Sequence, residues 1–176
     1  MSEEKEGPVA RFLGEDHRRL EALLDRATAD PERLDADAYA AFREGLLRHI
    51  GMEERILLPE AQARRGGEPL PGADLLRLQH GAIAALLVPT PTPDVVATLR
   101  AVLAAHNPLE EGPGAIYEAA EEVLGDEVEA VLERLRAAPP VPVAPHVDGP
   151  KVLAATRRAL ERAGFDPAAL PLEREE

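Results

Sequence analysis

Cysteine is absent from this 176-residue chain. That excludes disulfides, thiolate metal sites, cysteine-ligated iron–sulfur clusters and thiol chemistry. Aromatic residues make up only 3% of the sequence, so any core must be built mainly from Leu, Ala and Val. No apolar run approaches the roughly eighteen residues that a membrane span needs. The opening residues, Met1 to Pro8, hold no apolar export segment, so the expected location is cytoplasmic. Positive charge is also scarce. Twenty Lys and Arg stand against 33 Asp and Glu, a formal net charge of −13. This balance argues against nucleic acid or an anionic membrane surface as a main partner.

What is present favours helix. Ala, Leu, Glu and Arg dominate. The 17 prolines and 13 glycines cluster between periodic stretches and read as punctuation. The periodicity predicts helices over 9–29, 35–64, 73–88 and from Thr92 or Pro93 to the Gly112-Pro113-Gly114 break. Shorter helices are expected over 115–124, 126–137 and 151–163. Pro59 and Pro108 fall inside helical patterns, and each is expected to bend its helix. The expected organisation is an all-α bundle with trailing short helices over 9–137, a proline-rich linker over 138–150 and a short helical appendage over 151–176. The appendage cannot bury a core of its own. It is expected to pack on the bundle, contact a second copy or another protein, or stay mobile. Residues 1–8 are charged and expected to fray, and the C-terminal tail is charged.

One stretch breaks the apolar logic. Tyr39, Phe42, Leu46, His49, Glu53, Ile56 and Glu60 recur at alternating intervals of three and four, the rhythm of a helix seam facing a bundle. His49 and Glu53 therefore interrupt a core stripe, about 6 Å apart along the axis and on one face. A carboxylate buried there needs a cation, a network or water.

The interruption recurs. The first and third helices share the pattern polar-His-x-x-aliphatic-x-x-Leu-Leu, around His17 and His80. The second and fourth carry His49-x-x-x-Glu53-Glu54 and His106-x-x-x-Glu110-Glu111. Each helical hairpin thus holds one lone histidine and one histidine–glutamate pair. Four of the five histidines occupy these positions. The fifth, His146, lies in the proline linker and is expected to be exposed and not a ligand. Six imidazole and carboxylate donors suit iron, manganese or zinc and exceed what one tetrahedral zinc can use. They suit two ions, with Glu53 and Glu110 bridging, two histidines on each ion and coordination positions left open. One ion held by most of the donors is the alternative. Glu15, Glu54 and Glu111 are candidates to orient the ligating imidazoles from behind. Tyr39 and Tyr117 are read as packing residues at the ends of the core.

The ordered set His17, His49-x-x-x-Glu53, His80, His106-x-x-x-Glu110, spread over about residues 10–120, resembles the hemerythrin-like, or HHE cation-binding, family. The resemblance implies an up-down-up-down four-helix bundle around a non-heme di-iron centre. It implies that His17 and His49 bind one iron, that His80 and His106 bind the other, and that Glu53 and Glu110 bridge. It also implies a small diatomic ligand such as dioxygen or nitric oxide, or a response to redox state. An oxidase or ferroxidase, an iron-handling protein, and an interaction module with a structural metal are the other readings. Two departures stand out. The oxygen carriers of the family have a further histidine where this chain has Ala84, so reversible oxygen carriage of that form is disfavoured. Their last carboxylate is an aspartate at i+5, where this chain has Glu111. Glu110 is preferred because it matches Glu53 and continues the seam.

Overall fold

The computed structural model describes residues 6–173. Of residues 1–8, expected to fray, 1–5 lie outside the described residues, as does the end of the charged tail, 174–176, whereas Pro8 already opens a helix. The expected all-α class is what is found: helices make up the described structure, with no strand among the described residues beyond an isolated bridge between Asp30 and Arg33. No helix is long and apolar enough to cross a membrane among the described residues. By contacts the chain divides into two units. The first comprises the residues through Pro71 together with Glu110–Val143, and the second comprises Gly72–Leu109 together with the residues from Ala144 onward.

The first unit begins with α1, Pro8–Ala27, and α2, Ala36–Met52. Leu13, His17, Leu20, Leu24 and Ala27 are all buried, as the seam of α1 requires. The turn is closed by Asp35. Its amide reaches the Ala27 carbonyl at 2.9 Å, and its side chain accepts from the Ala38 amide at 3.0 Å, a side-chain N-cap for α2. On α2, Tyr39, Phe42 and Leu46 fill the core. The Tyr39 and Phe42 rings lie 5.9 Å apart, and burial pushes the Tyr39 phenol up to about 12.

Beyond Met52 the expected single helix changes pitch. Residues Glu53–Leu57 form a π turn, and α3, Leu58–Arg64, follows it. The Leu58 amide bonds to the Glu53 carbonyl, five residues back. Pro59 explains the change. It has no N–H, and its ring would clash with the carbonyl of Arg55 in a regular α-helix. A widened turn relieves that clash. The extra residue in the turn also moves the seam. Ile56 and Glu60 were expected inward, but Leu57, Leu58 and Ala61 are buried instead. Glu60 is half-exposed and pairs with Arg134. Helix α3 stops where expected: Gly66 takes φ +71°, and the Gly67 amide reaches back to the Gln62 carbonyl at 2.9 Å.

Helix α6, Ile116–Leu124, and α7, Val128–Arg136, complete this unit, joined by a short 3-10 turn over Gly125–Glu127. Glu121 on α6 accepts from the Val9 and Ala10 amides at 2.5 and 3.0 Å, which caps the start of α1. Gly7 makes this approach feasible, because a Cβ there would lie 1.5 Å from Glu121 Oε2. The proline-rich stretch is non-helical, as expected, but its start is tied down. Arg48 Nε donates to the Ala138 carbonyl at 2.9 Å.

The second unit contains α4, Ala73–Leu86, α5, Pro93–Glu110 up to Leu109, and α8, Pro150–Arg162. Leu76, His80, Ile83 and Leu87 are buried, as are Val95, Leu99, Val102 and His106. Thr92 Oγ1 accepts from the Val95 amide at 3.2 Å and Pro93 opens α5, the expected start. Pro108 does not interrupt α5, which runs on to Glu110. Pro108 and Ala104, the residue four positions before it, are both exposed. Helix α8 packs on α4. Thr156, Ala159 and Leu160 are buried, and Thr156 Oγ1 reaches the Ala85 carbonyl at 3.3 Å. Of the alternatives for the C-terminal helix, packing is the one found. Asp148 secures the connection through the Thr90 amide and hydroxyl at 2.8 and 2.7 Å. His146 is exposed, as expected.

A helix that merely decorates the surface would tolerate truncation within about 0.5 kcal/mol. Leu160 is fully buried, so Leu160→Ala is expected to cost about 2–5 kcal/mol. Urea or guanidinium unfolding of the two proteins checks this, and a loss within about 0.5 kcal/mol, the surface range, contradicts the packing.

Candidate metal centre

The centre of the first unit is polar. His17 on α1, His49 at the end of α2, Glu53 at the head of the π turn and Glu110 at the end of α5 are all buried. One donor atom from each lies within 4.8 Å of the others. The His17 and His49 rings stand 4.4 Å apart, tilted by 40°. His17 Nε2 is 3.0 Å from Glu110 Oε2, and His49 Nε2 is 3.4 Å from Glu53 Oε1. The α1–α2 hairpin brings level two histidines separated by 32 positions, as the repeat suggested.

The back of each ring is held. His49 Nδ1 lies 2.8 Å from Asp16 Oδ2, and His17 Nδ1 contacts Glu111 Oε1. An ionised carboxylate only accepts, so each Nδ1 carries a proton, and Nε2 is the ring nitrogen that faces the centre and would give its lone pair to a bound cation once its own proton is displaced. Asp16 is itself held by Arg19 Nε at 2.8 Å. Glu111 therefore stands behind His17, and Glu110 stands in the cluster. Glu15 and Glu54 are the other expected orienting residues. Glu15 is exposed and Glu54 half-buried.

The second unit repeats the device. His80 and His106 meet edge to face with centroids 5.0 Å apart. His106 Nδ1 donates to Gln79 Oε1 at 2.9 Å. Asp16 and Gln79 each precede the lone histidine of their half, and each binds Nδ1 of the paired histidine. Both were missed as functional residues. Their signal was present in the repeat, as the polar position before His17 and His80.

Tyr117 is the larger omission. Its ring is fully buried, and its hydroxyl enters the cluster. The O–H donates to Glu53 Oε1 at 2.5 Å and lies 3.1 Å from Glu110 Oε2. The same oxygen is 3.3 Å from His49 Nε2 and 3.4 Å from His17 Nε2. Packing at the end of the core is thus not its whole role. Its position follows from the Glu121 cap, one turn further along α6, which fastens that helix to α1.

The electrostatics follow from this crowding. Burial acts to lower the basicity of His17, but Glu110 and Glu111 outweigh it and raise the pKa. Burial opposes protonation of His49 too, yet Glu53 and Asp16 push it up to about 10. Burial would raise Asp16, and the His49 and Arg19 contacts bring it below the usual carboxylate range. Burial, reinforced by the charges of Glu53 and Glu110, drives the Tyr117 phenol well above its ordinary value. Two buried carboxylates thus draw positive charge onto neighbouring imidazoles. A divalent or trivalent cation bound by oxygen and nitrogen donors would satisfy the same demand, and the donor set fits one.

The hemerythrin HHE cation-binding domain family matches residues 9–113. No curated protein and no solved structure matches the chain. The family match covers more than half of the sequence and includes His17, His49, Glu53, His80, His106 and Glu110, so this chain belongs to the hemerythrin HHE cation-binding domain family.

Proposed function

We propose that the protein holds two non-heme iron ions through His17, His49, Glu53, His80, His106 and Glu110, and uses them to bind or sense dioxygen, nitric oxide or redox state. The observation that carries this reading is the tethering of Nδ1 on His17, His49 and His106, which leaves Nε2 as the donor on each ring. Core packing alone has no need of three imidazoles oriented in the same sense. His17 and His49 serve one ion, His80 and His106 the other. Glu53 and Glu110 would supply carboxylate oxygens to the ions, and Glu110 follows His106 by one turn on the same helix. Bound iron supplies open coordination positions and a one-electron couple. The chain orients the imidazoles, screens the centre from solvent and balances its charge. The cytoplasm is the proposed location.

A second reading, oxidation of ferrous iron as a substrate, draws support from the carboxylates of Asp16 and Glu111 behind the first histidine pair. The two are separated by adding ferrous iron in excess of the sites. A binder or sensor stops oxidising it at site stoichiometry, and an oxidase continues.

The purified protein is expected to contain two irons per chain, with visible absorption that changes on reduction and on exposure to oxygen. Elemental analysis with absorption spectroscopy checks this, and a single bound zinc with no spectral response contradicts it. His49→Ala is expected to lose at least one ion. Asp16→Asn keeps an acceptor for His49 Nδ1 but removes its charge, so metal affinity is expected to fall roughly 10–100-fold. Competition against a chelator measures that fall, and unchanged affinity removes Asp16 from the site.

A further inference from the structure

We propose that Tyr117 is a fifth protein ligand of the ion held by His17, His49, Glu53 and Glu110, bound through its phenolate oxygen. The inference rests on the metal reading above and adds a donor that the His and His-x-x-x-Glu pattern does not contain. Tyr117 also lies beyond the matched residues 9–113, so it is not part of what the family match carries.

The geometry is the argument. One oxygen sits 2.5 to 3.4 Å from a donor atom of each of the four cluster residues. A cation at the focus of those four donors has the phenol oxygen as its neighbour. Its ring is fully buried, and α6 is fastened to α1 by Glu121, so the oxygen is held at the centre. A neutral hydroxyl held against a cation would face it with a lone pair and keep a proton directed at Glu53. Coordination resolves this. The O–H bond breaks, the iron–oxygen bond forms, and the proton leaves to solvent as metal binding displaces protons from its ligands. No electron is transferred in the step. Phenolate is an anionic oxygen donor of the kind that hard, highly charged iron accepts, as tyrosine does in catalase.

The two ions then differ. The chain has two tyrosines, and the other, Tyr39, packs beside Phe42 in the same unit. The histidine pair of the second unit has Gln79 behind it and no tyrosine in its own unit.

The test uses the full chain loaded with iron and oxidised, as wild type, Tyr117→Phe and Tyr39→Phe. Iron content, visible absorption and resonance Raman spectra are recorded for each, with circular dichroism to verify folding. The expected result is a phenolate-to-iron charge-transfer band with phenolate ring vibrations in wild type and Tyr39→Phe. Both signals are lost in Tyr117→Phe while that protein still takes up iron. Bound iron without phenolate vibrations in wild type overturns the proposal and leaves the metal reading standing. Vibrations that persist in Tyr117→Phe overturn it too. A wild-type chain that takes up no iron overturns the metal reading, and the ligand with it. The wild-type spectrum decides the matter even where the variant fails to fold.

Discussion

Two carboxylates inside a helical core set the terms for the rest of the first unit. Glu53 and Glu110 are almost completely shielded from water. Leaving such charges uncompensated costs several kcal/mol per ion, roughly the whole stability margin of a domain. Everything nearby answers that demand. His17 and His49 approach with Nε2, Tyr117 donates its hydroxyl, and Asp16 and Glu111 hold the imidazoles from behind. The outer carboxylates would be a poor choice if neutralising Glu53 and Glu110 were the only task, because they add negative charge. They make sense when the centre is built to receive more positive charge than two imidazoles carry. Hydrogen bonds from Nδ1 to carboxylates also raise the donor strength of Nε2. The outer carboxylates are themselves paired, Asp16 with Arg19 and Glu111 with Arg18, so the argument for a cation rests on the orientation of the imidazoles.

The π turn shows how backbone and chemistry are joined. Glu53 opens it, and Pro59 forces it from the other side. A regular helix would have continued the seam through Ile56 and Glu60, placing a third carboxylate inward next to Glu53. The wider turn instead turns Leu57, Leu58 and Ala61 inward and leaves Glu60 to pair with Arg134 at the surface. The proline thus ends the polar part of the seam after Glu53. A carboxylate at the junction of two helical pitches also gains a backbone that deviates from the α-helix at the position where the side chain is directed, a feature that π turns commonly bring to functional sites.

Most of the site was legible because its chemistry violates the pattern around it. A histidine or glutamate on an apolar seam is conspicuous at helical spacing, and four of the five histidines fell on such seams. The helix limits were legible from proline, glycine and periodicity, to within a residue or two for most helices. What escaped had a different physical character. Tyr117 is amphipathic, so it looks the same in sequence whether its hydroxyl meets water, backbone or a carboxylate. Only the Glu121 clamp and the break at residues 112–115 decide where its oxygen falls, and both depend on tertiary contacts. Asp16 and Gln79 are ordinary polar helix residues until the facing histidine is placed. The seam shift after Glu53 escaped because a proline inside a helix can be met by a kink, a break or a wider turn, and the sequence does not distinguish them.

The repeat is symmetric in its ligands and asymmetric in what stands behind them. His49 faces an anion, Asp16, where His106 faces a neutral amide, Gln79. The two side chains occupy the same place in the pattern and accept the same hydrogen bond, but Asp16 carries a charge where Gln79, one methylene longer, is neutral. An anion behind an imidazole stabilises added positive charge in front of it, whereas an amide fixes the ring without doing so. The first half adds Glu111 behind His17 and the Tyr117 oxygen at the centre, and both push in the same direction. Two ions bound to such halves would not be equivalent. In the proposed two-ion centre, the half built on His17 and His49 would be the better place for the more highly charged ion, and the half built on His80 and His106 the easier one to keep reduced. A pair of sites biased in this way would let an added electron settle at one place.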